Sequence, residues 1–154
     1  MAQVTSSRTV IMAPRDAVMA VIADFPAYPE WAGAFRSAEV IEPGPDGRAS
    51  QVRFVLDAGV IKDQFVLDYD WDADTRSSWR LAEPTTVLSG LTGRYLLADN
   101  ELADNEVGTE VTYELTVGLR IPMIGMLKRR AEKMIIDQAL KGLKKHTETL
   151  GEAR

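Results

Sequence analysis

"IKDQFVLDYDWD", residues 61–72, decides how the rest of the chain reads. Ile61, Asp63, Phe65, Leu67, Tyr69 and Trp71 share one parity, while Lys62, Gln64, Asp68 and Asp70 take the other. A period of two, with the large apolar groups on one side, predicts a β-strand with one face buried and one wet. A strand of this kind needs neighbours and a lid, and the flanking sequence offers both.

Downstream, Asp72–Thr75 is a turn into "SSWRLAE" (77–83), where Trp79 and Leu81 share a face. "TVLSGLTGRYLLA" (86–98) sets Leu91, Gly93, Tyr95 and Leu97 against Thr92 and Arg94. The polar stretch Asp99–Gly108 reads as a loop, and "TEVTYELTVGLR" (109–120) alternates again through Val111, Tyr113, Leu115, Val117 and Leu119. Upstream, Ala58-Gly59 is a tight turn from a strand over 51–57 with Val52, Phe54 and Leu56 on one face. Pro43-Gly44-Pro45-Asp46-Gly47 ends another strand that begins at Phe35. These are consecutive antiparallel strands with short links.

The two ends differ. Residues 3–12 predict a first strand, and Ala13-Pro14-Arg15-Asp16 opens a short helix that Asp24 and Pro26 stop. "DFPAYPEWAGAF" (24–35) is too irregular for a strand and too broken for a long helix; Pro26 and Pro29 predict an extended, turn-rich segment there. After Pro122 a long helix is predicted over 123–150. Arg130, Lys133, Asp137, Lys141, Lys144 and Glu148 form its polar stripe, opposite Leu127, Ala131, Met134, Ile135, Ala139, Gly142 and His146.

Composition narrows the function classes. The 154 residues predict one domain, 1–154, without repeats. With no cysteine, disulfides, thiolate metal sites and cysteine nucleophiles are excluded. A net charge of −5 argues against general nucleic-acid binding. The start lacks the layout of a signal peptide and no apolar run approaches about 20 residues, so no transmembrane segment and a cytoplasmic location are expected.

No dinucleotide loop, phosphate-cradling loop, HExxH pair or nucleophile elbow is present, and the single histidine, His146, sits near the end of the last helix. No metal and no cofactor are expected; catalytic residues stay unassigned. Asp63 is a candidate polar anchor because alternation turns it inward, although its place at the strand start beside the Gly59 turn favours contact with water. Tyr95 and Tyr113 also turn inward and, with Asp63, Ser89 and Gln138, could orient the polar end of an apolar ligand. Arg53, Arg80 and Arg94 turn outward. "PMIGMLKRR" (122–130) reads as ordinary packing, a gate, or a segment for transient contact with a membrane surface or a partner protein.

The order of strand, short helices, antiparallel strands and long terminal helix resembles the START-like (SRPBCC) superfamily. Ala13-Pro14, Asp24 followed by Tyr28-Pro29-Glu30-Trp31, "SWRL" (78–81), "LTGRYLL" (91–97) and "GTEVTYEL" (108–115) carry the likeness over nearly the whole chain. Within it the chain is similar to the polyketide cyclase/dehydrase and lipid-transport branch, of the coenzyme Q-binding and ribosome-association-toxin type. The resemblance implies an α+β helix-grip fold: a curved antiparallel sheet wrapped around a long C-terminal helix, with two short helices after the first strand.

It also implies a cavity between sheet and helix that takes a lipid, a quinone or a polyketide-like molecule. On that implication the ligand-binding residues expected from the sheet are Phe35, Phe54, Leu56, Phe65, Leu67 and Trp79, with Leu91, Tyr95, Tyr113 and Leu115. From the helix they are Met134, Ile135, Gln138 and Ala139, and Trp31 joins them, plugging one end together with Tyr28. Two other readings stay open: an aromatase/cyclase or dehydratase using Asp63 and the tyrosines as acid and base, and a protein-interaction module of the toxin type.

Overall fold

The computed structural model describes residues 4–59, 61–101 and 107–152. Strand β1 (Thr5–Ile11) leads to helix α1 (Arg15–Ala23), a single 3-10 turn (Phe25–Ala27) and the one-turn helix α2 (Tyr28–Trp31). Six strands follow: β2 (Phe35–Pro43), β3 (Ala49–Asp57), β4 (Lys62–Asp72), β5 (Arg76–Leu81), β6 (Leu88–Glu101) and β7 (Val107–Leu119). Helix α3 (Gly125–Glu152) closes the chain. The strands form one antiparallel sheet in the order β1-β7-β6-β5-β4-β3-β2, curved around α3.

Period-two alternation positions the core. Val52, Phe54 and Leu56 of β3 face Leu67, Phe65 and Asp63 of β4, and all but the carboxylate are buried. Trp79, Tyr95, Leu97, Val111, Tyr113, Leu115 and Val117 continue the same inner face across β5 to β7. Both tight turns named from sequence hold their glycines at positive φ, Gly47 at 80° and Gly59 at 79°, where a side chain is disfavoured.

Three expectations are corrected. The polar stretch 99–108 is not wholly a loop: β6 runs to Glu101, β7 starts at Val107, and Asp99 still pairs with Thr109. That outer ladder is tied down, because the Thr109 hydroxyl donates to the Ala13 carbonyl at 2.7 Å and Arg15 pairs with Asp99 at 2.7 Å.

The segment after α1 is helical rather than extended. Its prolines occupy first-turn positions of the 3-10 turn and of α2, where a missing N–H costs least. The Tyr28 hydroxyl reaches back to the Ile22 carbonyl at 2.5 Å and fixes the segment to α1.

The third correction concerns α3, 28 residues and about 42 Å long. Its buried positions are Ala131, Glu132, Ile135, Ile136, Ala139, Leu140, Leu143 and Thr147. That stripe is turned about 90° from the one expected, at 100° per residue. Met134 becomes half-buried, Leu127 and Gln138 are exposed, and Gly142 meets the backbone of α2.

Glu132 can be buried because two donors meet it. The Val117 amide gives a hydrogen bond to Oε2 at 3.0 Å and the Thr5 hydroxyl one to Oε1 at 3.1 Å. β1 begins opposite Leu115, so the carboxylate serves the β7 amide two residues beyond that pairing.

Candidate functional site

A small void lies between the concave face of the sheet, α2 and α3. Tyr28, Phe35, Phe54, Leu56, Phe65, Leu67, Tyr69, Trp79, Leu91, Tyr95, Tyr113, Leu115 and Ile135 line it. Its volume is about 30 Å³. That is room for two or three waters at most, since one needs roughly 10–15 Å³ of such volume. The void is small because aromatic side chains fill most of the space between the sheet and α3.

Eight of the thirteen lining residues are aromatic, and their rings touch in a continuous chain. Tyr28 lies 4.7 Å from Trp31 and 5.8 Å from Phe54; Phe54 lies 4.9 Å from Phe35 and 6.0 Å from Phe65. Tyr69 and Trp79 are 5.6 Å apart, and Trp79, Tyr95 and Tyr113 form a triangle with edges of 5.3, 5.5 and 4.6 Å. Trp79 can lie flat because its cross-strand partner is Gly93, where a Cβ would come within 2.5 Å of the indole nitrogen.

The void's titratable groups are phenols. Burial pushes Tyr28, Tyr69, Tyr95 and Tyr113 above the usual phenol pKa of 10.0, and in the first three neighbouring tyrosines add to it. They stay protonated at neutral pH and can donate hydrogen bonds. No carboxylate, imidazole or amine lines the void among the described residues, so what it presents to a ligand is apolar surface with a few neutral donors.

Eleven of the residues expected from sequence line the void: the ten sheet residues and Ile135. Four do not. Trp31 is buried but stands behind Tyr28, with its indole N–H unpartnered among the described residues. Ala139 is 2% exposed and packed away from the void. Met134 and Gln138 lie off the buried stripe, and Gln138 borders a surface groove with Glu30, Gly33, Lys141, Lys145 and His146.

Asp63 is not a lining residue either. It is half-buried, accepts the Gln64 amide at 2.9 Å, and takes the Thr85 hydroxyl, whose oxygen accepts the Leu88 amide at 2.9 Å. The carboxylate thus staples the start of β4 to the β5–β6 connection. Ser89 is exposed. Tyr69 is a lining residue missing from the expected set, although its parity was the signal for it; Tyr28, expected with Trp31 as a plug, lines the void because of how α2 folds.

The sequence model of the family described as "Polyketide cyclase / dehydrase and lipid transport" matches residues 1–148. No curated protein matches the sequence. Among solved structures, a START superfamily protein from Mycobacterium smegmatis superposes with a TM-score of 0.82 at 18% identity, over 96% of this chain and 98% of that one. Zhui aromatase/cyclase from Streptomyces sp. R1128 gives 0.75 at 16% identity, over 96% and 94%. The protein TTHA0849 from Thermus thermophilus gives 0.74 at 22% identity, over 96% and 99%. At these identities the likeness is one of fold, the START or helix-grip arrangement.

Proposed function

Because the chain belongs to the polyketide cyclase/dehydrase and lipid transport family, we propose that it binds a hydrophobic small molecule of lipid, quinone or polyketide-like character between the sheet and α3. The observation that carries this reading is the aromatic-lined void, an apolar chamber whose polar groups are neutral phenols. Burial of apolar ligand surface would supply affinity at about 25 cal/mol per Å².

A 30 Å³ void does not admit such a ligand without change. Binding requires the rings to swing apart, so the observed packing is the closed member of a two-state pair, and affinity is reduced by the fraction of time the chamber is open. Ring-on-ring contacts suit this, since each aromatic pair contributes only about 0.5–1.5 kcal/mol beyond area burial. A flat ligand replaces ring contacts with ring contacts.

A second reading, a cyclase-type reaction, has one observation in its favour. The Tyr95–Tyr113 pair presents phenols that stay protonated and can stabilise negative charge developing on a carbonyl oxygen. Acid–base chemistry through Asp63 is disfavoured, because that carboxylate is engaged by Thr85 away from the void.

Native mass spectrometry of protein purified from its own source tests the proposal. A co-purifying apolar small molecule, released on denaturation, is the expected result. Ligand-free protein recovered with a stoichiometric protein partner would favour an interaction module instead.

A further inference from the structure

The connection from β7 into α3 carries the most exposed apolar cluster of the described chain. Ile124 and Met126 are 63% and 61% exposed, flanked by the partly exposed Ile121 and Leu127. The same stretch, residues 120–131, holds Arg120, Lys128, Arg129 and Arg130 and no carboxylate, in a protein whose net charge is −5. None of these four cations forms an ion pair among the described residues. The Ile124 carbonyl accepts the Leu127 and Lys128 amides, so the apolar tip is also the amino end of α3, which bears no acidic residue in its first turn. The partial positive charge of a helix amino terminus therefore adds to the four side chains.

Exposed apolar residues flanked by cations, on an otherwise acidic body, complement one kind of surface: an apolar layer beneath an anionic one. We propose that this tip docks the protein on anionic lipid bilayers, with Ile124 and Met126 entering the headgroup–acyl boundary and Arg129 and Arg130 facing lipid phosphates. An acidic protein would be repelled by such a surface in other orientations, so charge orients the contact as well as strengthening it. This goes beyond ligand binding in the chamber and does not depend on it. No helix of the described residues is long and apolar enough to cross a membrane, so the contact is interfacial.

Co-sedimentation of the full chain with vesicles of phosphatidylcholine, alone or mixed with phosphatidylglycerol, tests the proposal. Binding is expected to the mixed vesicles, to fall with added salt, and to be weak on phosphatidylcholine alone. Arg129→Glu with Arg130→Glu should lower partitioning at least about thirtyfold, as each cation contributes about fivefold near an anionic surface. Ile124→Asp with Met126→Asp should abolish it, and since all four side chains are exposed, near-UV circular dichroism should be unchanged. Absence of binding to mixed vesicles overturns the proposal, as does equal binding by both double variants. A concentration-dependent dimer in sedimentation velocity that Ile124→Asp dissolves would assign the tip to self-association instead.

Discussion

Gly142 of α3 sits so close to Trp31 of α2 that a Cβ at position 142 would lie 1.7 Å from the Trp31 carbonyl oxygen. No rotamer relieves a clash with backbone. The glycine is thus where the long helix passes the short one, and the contact holds the Phe25–Tyr28–Trp31 cluster over the end of the chamber.

Gly142→Ala should therefore destabilise the protein by about 2 kcal/mol or more, against the gain of about 1 kcal/mol that the change gives an unencumbered helix. Ala139→Phe, one turn earlier, should cost about 1–3 kcal/mol by overpacking, because Ala139 is buried and does not border the void. Urea unfolding measures both. An unchanged midpoint for Ala139→Phe would mean that open volume reaches this face of the helix.

Gly93→Ala should act on the chamber rather than on the fold. The new methyl would lie 2.5 Å from the Trp79 indole nitrogen and must push the ring off the sheet by about 1 Å, disturbing its packing on Tyr95 and Tyr113. The void is small enough for that shift to occupy it. We expect a thermal midpoint lower by a few degrees and most binding of an apolar fluorescent probe lost. Undiminished binding would place the ligand elsewhere.

Asp63→Asn and Tyr113→Phe separate a latch from a ligand group. The first should cost about 1 kcal/mol, the value of one hydrogen bond, and leave probe binding unchanged. Tyr113→Phe should leave stability within about 1 kcal/mol and weaken carbonyl-bearing ligands such as quinones more than hydrocarbons. The opposite assignment of effects, read by titration calorimetry, would make Asp63 the polar anchor.

Alkaline pH should expose the buried phenols only by unfolding. A pKa raised in the folded state means that the native protein holds protons the unfolded chain releases, so the stabilisation is complete below pH 10 and declines as pH rises beyond it. Tyrosinate absorbance should appear together with loss of near-UV circular dichroism above that pH. Phenol titration at lower pH with the fold intact would contradict the burial assigned here.

The strands were legible because period two is robust: Phe54, Phe65, Trp79, Tyr95 and Tyr113 turn inward as their parity requires. Helix α3 was legible in extent but not in rotation. Its stripe contains Glu132, a residue type that is seldom buried, and its burial depends on donors from Val117 and Thr5 more than a hundred residues apart in sequence. The position of α2 depends on the Gly142 contact, which no local pattern encodes. For the same reason the four site residues that fall outside the void, Trp31, Met134, Gln138 and Ala139, all belong to the helices. Asp63 differs from its strand neighbours because alternation gives a side and not a partner; Thr85 supplies the partner.

Titrating the native protein with an environment-sensitive apolar probe and displacing it with fatty acids and quinones, while following near-UV circular dichroism, shows whether the closed aromatic chamber opens for an apolar ligand. We expect saturable one-to-one binding, competitive displacement, and a change in the aromatic signal as the rings around Trp79, Tyr95 and Tyr113 part. No saturable binding across a broad apolar set, with the aromatic signal intact throughout, would contradict it.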